Sequence, residues 1–187
     1  GDCAKSSSDP LAECQPGLWP RSSFPPLKGG WVHSWRDLFK HALSYCDHFV
    51  TTHPSVRDTL SRSLALDPER FTVIPHGRDF DKMTRLSKPY VSGQPLEILV
   101  PGIIFKSKGS DIIRHLLSID QQALLHFHIL GETDITWEHP RLTLHGAYQR
   151  EEIGARIEAI RPHIGAVLSI WNETWCHTLT ELWSVGL

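Results

Sequence analysis

The sequence predicts an α/β protein built on a Rossmann-like parallel sheet flanked by helices. Three observations carry that prediction. Apolar runs at 96–102 (LEILVPG), 124–131 (LLHFHILG), 141–146 (RLTLHG) and 164–170 (IGAVLSI) are too continuous for a sheet with one solvated face. Segments with helical spacing alternate with these runs, the pattern of βαβ units. Crossovers that return to the same sheet are right-handed, which makes a Rossmann-like half the simplest arrangement.

Taken in order, residues 1–30 are rich in Ser, Pro and Gly without periodicity and read as an irregular arm. A first helix is expected from Ser34, where Trp35, Leu38, Phe39, Ala42 and Leu43 recur at helical spacing and Ser34 with Asp37 resembles a capping box. DHFVTTH (47–53) reads as a short buried strand. Pro54 then opens a second helix striped by Val56, Leu60 and Leu64. FTVIP (71–75) is a strand closed by His76-Gly77, and the polar stretch 84–95, with Pro89, Gly93 and Pro95, is a linker. After the strand at 96–102 comes a helix at 110–119 with Ile112, Ile113, Leu116 and Leu117 on one face. Strands at 124–131 and 141–146 follow, then a helix at 149–160 carrying Ile153, Ile157 and Ile160. The strand at 164–170 leads to a last helix starting near Cys176 or His177. Neither an internal repeat nor a low-complexity tract is present.

Composition narrows the function class. The 187 residues suit one ordinary domain or parts of two, and 40% hydrophobic with 21% charged residues fits a soluble globular chain. A formal charge of −2 argues against a nucleic-acid binder, and no apolar run approaches the ~18 residues of a membrane span. The first residues lack the charged-then-apolar order of a signal peptide, so a cytoplasmic protein is expected. The four cysteines, Cys3, Cys14, Cys46 and Cys176, form no CxxC pair and read as free thiols, with a Cys3–Cys14 disulfide or metal pair as the alternative.

In an open parallel sheet, ligands bind beyond the carboxyl ends of the strands. Three loops have that address: 102–109, 131–140 and 170–177. In the first, Gly102 ends a strand and Lys108-Gly109 enters a helix, placing a cation beside helix-opening amides, an arrangement suited to a diphosphate, although an isolated Lys-Gly pair is more often a solvated lysine at a turn. It is no P-loop, and no GxGxxG occurs. In the third, Glu173 lies in the loop and Glu181 about one turn inside the following helix. The amides of His177 and Thr178 open that helix and can donate to phosphate or sugar oxygens, while carboxylates accept polyol hydroxyls. Asp79-x-Asp81 has the pattern of a metal-holding DxD but sits in a turn, where a solvated role is expected. His126 and His128 share one face of a strand, yet no third ligand stands at useful spacing, so they read as half-buried packing residues and no metal is expected. Trp171 and Trp175 could stack on a sugar or base, or pack in the core. His76 either lines the cleft or supports its turn, and Lys106 and Tyr148 are further candidates for the cleft wall.

Four stretches, in order, carry a resemblance. SIWNETWCHTLTELWSVGL resembles the E-x7-E segment of family 4 of the retaining glycosyltransferases, which have the GT-B fold. CDHFVTTHPSVRDTL is similar to the strand and helix before that family's domain crossover, FTVIPHGRDF to its Ile-Pro-Asn-Gly-Val-Asp motif, and LVPGIIFKSKGSDII to its Val-Gly-Arg-x-x-x-x-Lys-Gly donor loop. The likeness covers roughly 45–187. It implies a donor site for a nucleotide-diphosphate sugar, with Lys108 on the diphosphate, Glu181 on the ribose hydroxyls, Glu173 as the catalytic glutamate near the transferred sugar, and the backbone at Cys176, His177 and Thr178 along sugar and phosphate. Ile103 stands where the family has an arginine, so half of the usual cationic clamp is replaced, with Lys106 as the nearest substitute.

By the same resemblance, 1–83 would be the irregular arm with the end of an acceptor-side domain and the crossover, 84–95 a linker, and 96–187 an incomplete donor-nucleotide-binding domain. The implied activity is transfer of a hexosyl unit to a glycan or lipid-linked acceptor without a cofactor or metal, with peripheral membrane contact compatible. Lys108, Glu173 and Glu181 are expected to converge on one cleft. The alternatives are a non-catalytic sugar-nucleotide-binding or scaffold domain and, built on the histidines, a metal-dependent hydrolase. Since the family continues past Gly186 with a further strand, the 187-residue chain alone is expected neither to transfer sugar nor to bind donor tightly, and either to self-associate through an unpaired sheet edge or to need the missing segments.

Overall fold

The computed structural model describes residues 31–77, 85–171 and 173–187. Cys3, Cys14 and Asp79-x-Asp81 lie outside the described residues. The chain divides into two compact units, Gly1–Arg78 with Trp171–Trp175, and Asp79–Ile170 with Cys176–Leu187.

In the first unit, helix α1 (Trp31–Ser44) precedes a parallel pair of strands, β1 (Phe49–Thr51) and β2 (Phe71–Val73), joined through helix α2 (Pro54–Leu64). Helix α1 starts a turn before the expected Ser34, which therefore lies inside the helix and not at its N-cap. Its stripe stays largely exposed, with Trp35, Leu38 and Phe39 at 39%, 64% and 41%. Helix α2 begins at Pro54 as expected. His53, in extended backbone, accepts the Ser55 amide on Nδ1 at 3.2 Å, and the helix closes on Ala65 in the left-handed region. Phe49 and Phe71 face one another across the strand pair with ring centroids 4.8 Å apart, and the Arg70 guanidinium lies over the Phe49 ring.

The second unit is the parallel sheet that the apolar runs predict. Strands β3 (Leu96–Pro101), β4 (Leu125–Leu130), β5 (Leu142–Leu144) and β6 (Ile164–Gly165) lie in the order β5-β4-β3-β6, all parallel. Helix α3 (Ser110–Ile119) covers one face: Ile113 and Leu117 meet Ile98, Val100, Phe127 and Ile129. Helices α4 (Ile153–Ile160) and α5 (His177–Ser184) cover the other, where Ile157, Leu182 and Val185 meet Leu99 and Leu130. Burial on both faces over the last four residues of each strand is why Ile98–Val100 and Ile129–Leu130 read as apolar without alternation.

Two local arrangements set the sheet's ends. Asp120, closing α3, accepts the amides of Leu124 and Leu125 and pairs with Arg141, so one carboxylate ties the helix end to β4 and to the approach to β5. The expected strand at 164–170 pairs only over Ile164–Gly165, with Ala166 still donating to Leu99 O at 2.8 Å. Beyond it the chain leaves the ladder to cover the loop after β3: Ile170 donates to Ser107 O at 3.1 Å, and Leu168 sits where a side chain on Gly109 would have to be. Residues 85–88 run along this unit, with Leu86 donating to Val185 O and Lys88 to Pro162 O.

Candidate functional site

Close backbone approach at the carboxyl ends of β3 and β4 is made by glycines. Gly102 follows β3 with φ +105°, and a Cβ there would lie 2.9 Å from Thr178 Cγ2 in the first turn of α5. Gly131 follows β4 with φ +141°; a Cβ there would overlap the carbonyl oxygen of Gly102 and lie 2.7 Å from its carbon. Gly109, φ +95°, ends the short 3-10 turn Lys106–Lys108 and opens α3, with Leu168 against it. These conformations and contacts admit only glycine. Together they bring Gly102, Gly131 and the start of α5 to one end of the sheet, with Lys108 in the turn that follows Gly102.

Helix α5 starts where the sequence places it. Cys176 is its N-cap: the Leu179 amide donates to Cys176 Sγ at 3.4 Å, the Thr180 amide to Cys176 O at 3.3 Å, and Sγ lies 3.2 Å from Thr178 Oγ1. Cys46 and Cys176 are free thiols, as expected. Glu181, one turn in, is 8% exposed, and the Tyr148 hydroxyl donates to its Oε2 at 3.1 Å. A buried carboxylate requires such donors, and this one joins two residues that the sequence singled out separately. Lys106, by contrast, lies 3.8 Å from Asp111 in an exposed ion pair, and Ile103 is 55% exposed.

Glu173 and Trp175 group with the first unit and Lys108, Glu181, His177 and Thr178 with the second. Within the first, the His76 ring stacks on Trp175 with centroids 5.1 Å apart, and Thr52 Oγ1 donates to Thr174 O. A shallow pocket of about 430 Å³ lies instead beside edge strand β5, lined by Trp137, His139 and Leu144 among others; neither Lys108 nor Glu181 belongs to it.

The histidine pair on β4 departs from expectation. A third group does stand beside His126 and His128: Glu97 of β3, opposite His126 in the parallel register. Glu97 Oε2 lies 2.6 Å from His128 Nε2 and 3.1 Å from His126 Nδ1. His126 Nε2 reaches Thr143 Oγ1 at 3.0 Å, and His128 Nδ1 reaches His145 Nε2 at 2.9 Å. No local spacing could show this, because the partner comes from the neighbouring strand. Burial pushes the Glu97 carboxyl up, but the His128 hydrogen bond and the nearby positive groups outweigh it and hold it below its ordinary value. Burial lowers His126 and His145, and the neighbouring His128 lowers both further.

No protein-family model matches the chain, and no curated protein matches it in sequence. Solved structures match it in fold. The apo form of the lipopolysaccharide outer core galactosyltransferase WaaB superposes with a TM-score of 0.62 at 16% identity, over 81% of this chain and 45% of that one. Anabaena HepE in complex with UDP-glucose gives 0.58 at 13% identity, over 82% and 47%. HepE with UDP and glucose gives 0.54 at 15% identity, over 78% and 44%. The likeness shows the fold, which is that of part of a GT-B glycosyltransferase. It spans less than half of each neighbour's length. No helix among the described residues is long and apolar enough to cross a membrane.

Proposed function

We propose that the chain is the donor-binding part of a retaining glycosyltransferase. It would move a hexosyl unit from a nucleotide-diphosphate sugar to a glycan or lipid-linked acceptor, in glycan or polysaccharide synthesis. The observation that carries this reading is buried Glu181, held by Tyr148 one turn into a helix whose first turn meets Gly102 at the end of an all-parallel sheet. In this reading Lys108 and the amides of His177 and Thr178 take the diphosphate, Glu181 accepts the ribose hydroxyls, and Glu173 acts at the transferred sugar. As the glycosidic bond breaks, negative charge grows on the departing nucleoside diphosphate. The lysine and the helix-opening amides stabilise that charge without reorganising. HepE's complexes with UDP-glucose and UDP support a uridine nucleotide as the first donor to try.

The second reading, a sugar-nucleotide-binding domain without transfer, is favoured by Ile103, an exposed aliphatic side chain where the resembling family carries a cation. Calorimetry and a donor-turnover assay on two variants test both readings. Glu181→Ala should weaken nucleoside-diphosphate binding by about 1.5–3 kcal/mol, the range of hydrogen bonds involving a charged group. Glu173→Ala should leave that affinity unchanged and lower turnover of the sugar donor. Equal losses of nucleotide affinity in the two variants would contradict the assignment, and binding without turnover by a full-length product containing this chain would favour the second reading.

A further inference from the structure

The Glu97–His126–His128 cluster lies apart from the groups assigned to the donor. Glu97 and His126 are the second residues of β3 and β4, at the opposite end of the strands from Gly102 and Gly131. At ~3.3 Å per residue, Glu97 is on the order of 16 Å from Gly102 along the strand. The three side chains project from the face that farther along carries Leu99 and Leu130. They are half-buried, with side-chain exposures of 21%, 25% and 11%.

The proton inventory of the cluster admits two arrangements, one of which leaves room for a cation. A single oxygen, Glu97 Oε2, faces two ring nitrogens, and without a cation each nitrogen must bring a proton to it. The outer nitrogens have partners as well, Thr143 Oγ1 for His126 Nε2 and His145 Nε2 for His128 Nδ1, and each of these partners is able to donate or to accept. If both outer nitrogens carry the protons of neutral imidazoles, Glu97 Oε2, His126 Nδ1 and His128 Nε2 are three lone pairs turned inward, all within 4.8 Å of one another. Outer hydrogen bonds of this kind fix the tautomer of metal-bound histidines.

We propose that Glu97, His126 and His128 bind a divalent transition metal of the zinc class. Two imidazoles and a carboxylate form a three-ligand set that leaves a fourth position for water. With metal–ligand bonds of about 2.0–2.2 Å, tetrahedral ligands stand ~3.3 Å apart. Glu97 Oε2 and His126 Nδ1, 3.1 Å apart, nearly meet that spacing, and Glu97 Oε2 and His128 Nε2 at 2.6 Å reach it by a small side-chain rotation. The metal links β3 to β4 and stands outside the chemistry of sugar transfer.

Cobalt(II) titrated into the chelator-treated, dialysed chain tests this. The expected result is one cobalt per chain with the visible bands of a tetrahedral nitrogen–oxygen site, no thiolate charge-transfer band, and displacement by zinc. His126→Phe and His128→Phe should abolish the bands, while Thr143→Val should keep them and weaken binding about 10–100-fold, the effect of losing an outer hydrogen bond. Because a variant can fail to fold, the unaltered chain supplies a second readout. Among its 12 histidines, zinc should shift the imidazole nitrogen resonances of His126 and His128 directly, with His145 following through its hydrogen bond. The proposal is overturned if no tetrahedral bands form, if a thiolate band accompanies them, if they persist in either phenylalanine variant, or if zinc moves other histidines and leaves these in place.

Discussion

Replacing Gly131 by alanine tests the packing at the strands' carboxyl ends. The backbone there has φ +141°, outside the regions open to L-residues, and holding alanine there costs roughly 1–3 kcal/mol. The added methyl would also overlap the Gly102 carbonyl and stand 3.2 Å from Gly102 Cα. These are backbone atoms at the end of a paired strand and cannot turn aside as a side chain can. Overpacking of that kind adds about 1–3 kcal/mol. The expected loss is therefore about 2–6 kcal/mol, a large share of the ~5–15 kcal/mol that holds a typical domain folded. Gly146→Ala is the internal control, since Gly146 also has positive φ (+74°) but nothing within 4 Å of the new methyl. Urea denaturation followed by circular dichroism measures both. If Gly131→Ala unfolds at the same urea concentration as Gly146→Ala, the backbones of β3 and β4 do not meet as described.

Two further perturbations address the frame of the sheet. For Asp120, burial acts to raise the carboxyl pKa, but the Leu124 and Leu125 amides and Arg141 outweigh it and lower it. The folded state thus binds the proton less readily than the unfolded chain. The stabilisation is present above the unfolded value of about 3.9 and is lost as pH falls through the depressed folded one. Urea midpoints measured down through that range should fall more steeply for the unaltered chain than for Asp120→Asn, and parallel curves would contradict the reasoning. At Gly165, a Cβ would lie 2.5 Å from Leu182 Cδ2, so Gly165→Ala should cost about 1–3 kcal/mol by crowding α5. Leu182→Ala, emptying a buried site, should cost about 2–5 kcal/mol. Combined, they should cost less than their sum by about 0.5–3 kcal/mol, and strict additivity would mean that the helix does not rest on β6 there.

How much of this was legible in the sequence depends on where the determining contact lies. Helix α3 falls on 110–119 as read, because its apolar face and the glycine before it are local signals. Helix α2 starts at Pro54 for the same kind of reason. The strand expected over 164–170 is short because Leu168 and Ile170 pack over the turn between β3 and α3, a contact between distant segments that no hydropathy run can display. The stripe of α1 was visible as a periodicity, but periodicity does not say what covers it, and among the described residues Leu38 remains 64% exposed. At the candidate site, the start of α5 and the positions of Gly102 and Gly109 could be read from the residues, whereas the pairing of Tyr148 with Glu181 required the fold. The histidines of β4 are the clearest case. Their shared face followed from alternation, while Glu97 came into reach only through the register of β3 on β4.

The measurement that tests the central claim most directly is a structure of the protein with a saturating nucleoside diphosphate, beginning with UDP. The account predicts the nucleotide at the carboxyl ends of β3 and β4, its diphosphate against Lys108 and the amides of His177 and Thr178 and its ribose hydroxyls on Glu181. A nucleotide bound at any other place, or none at saturating concentration, would contradict it.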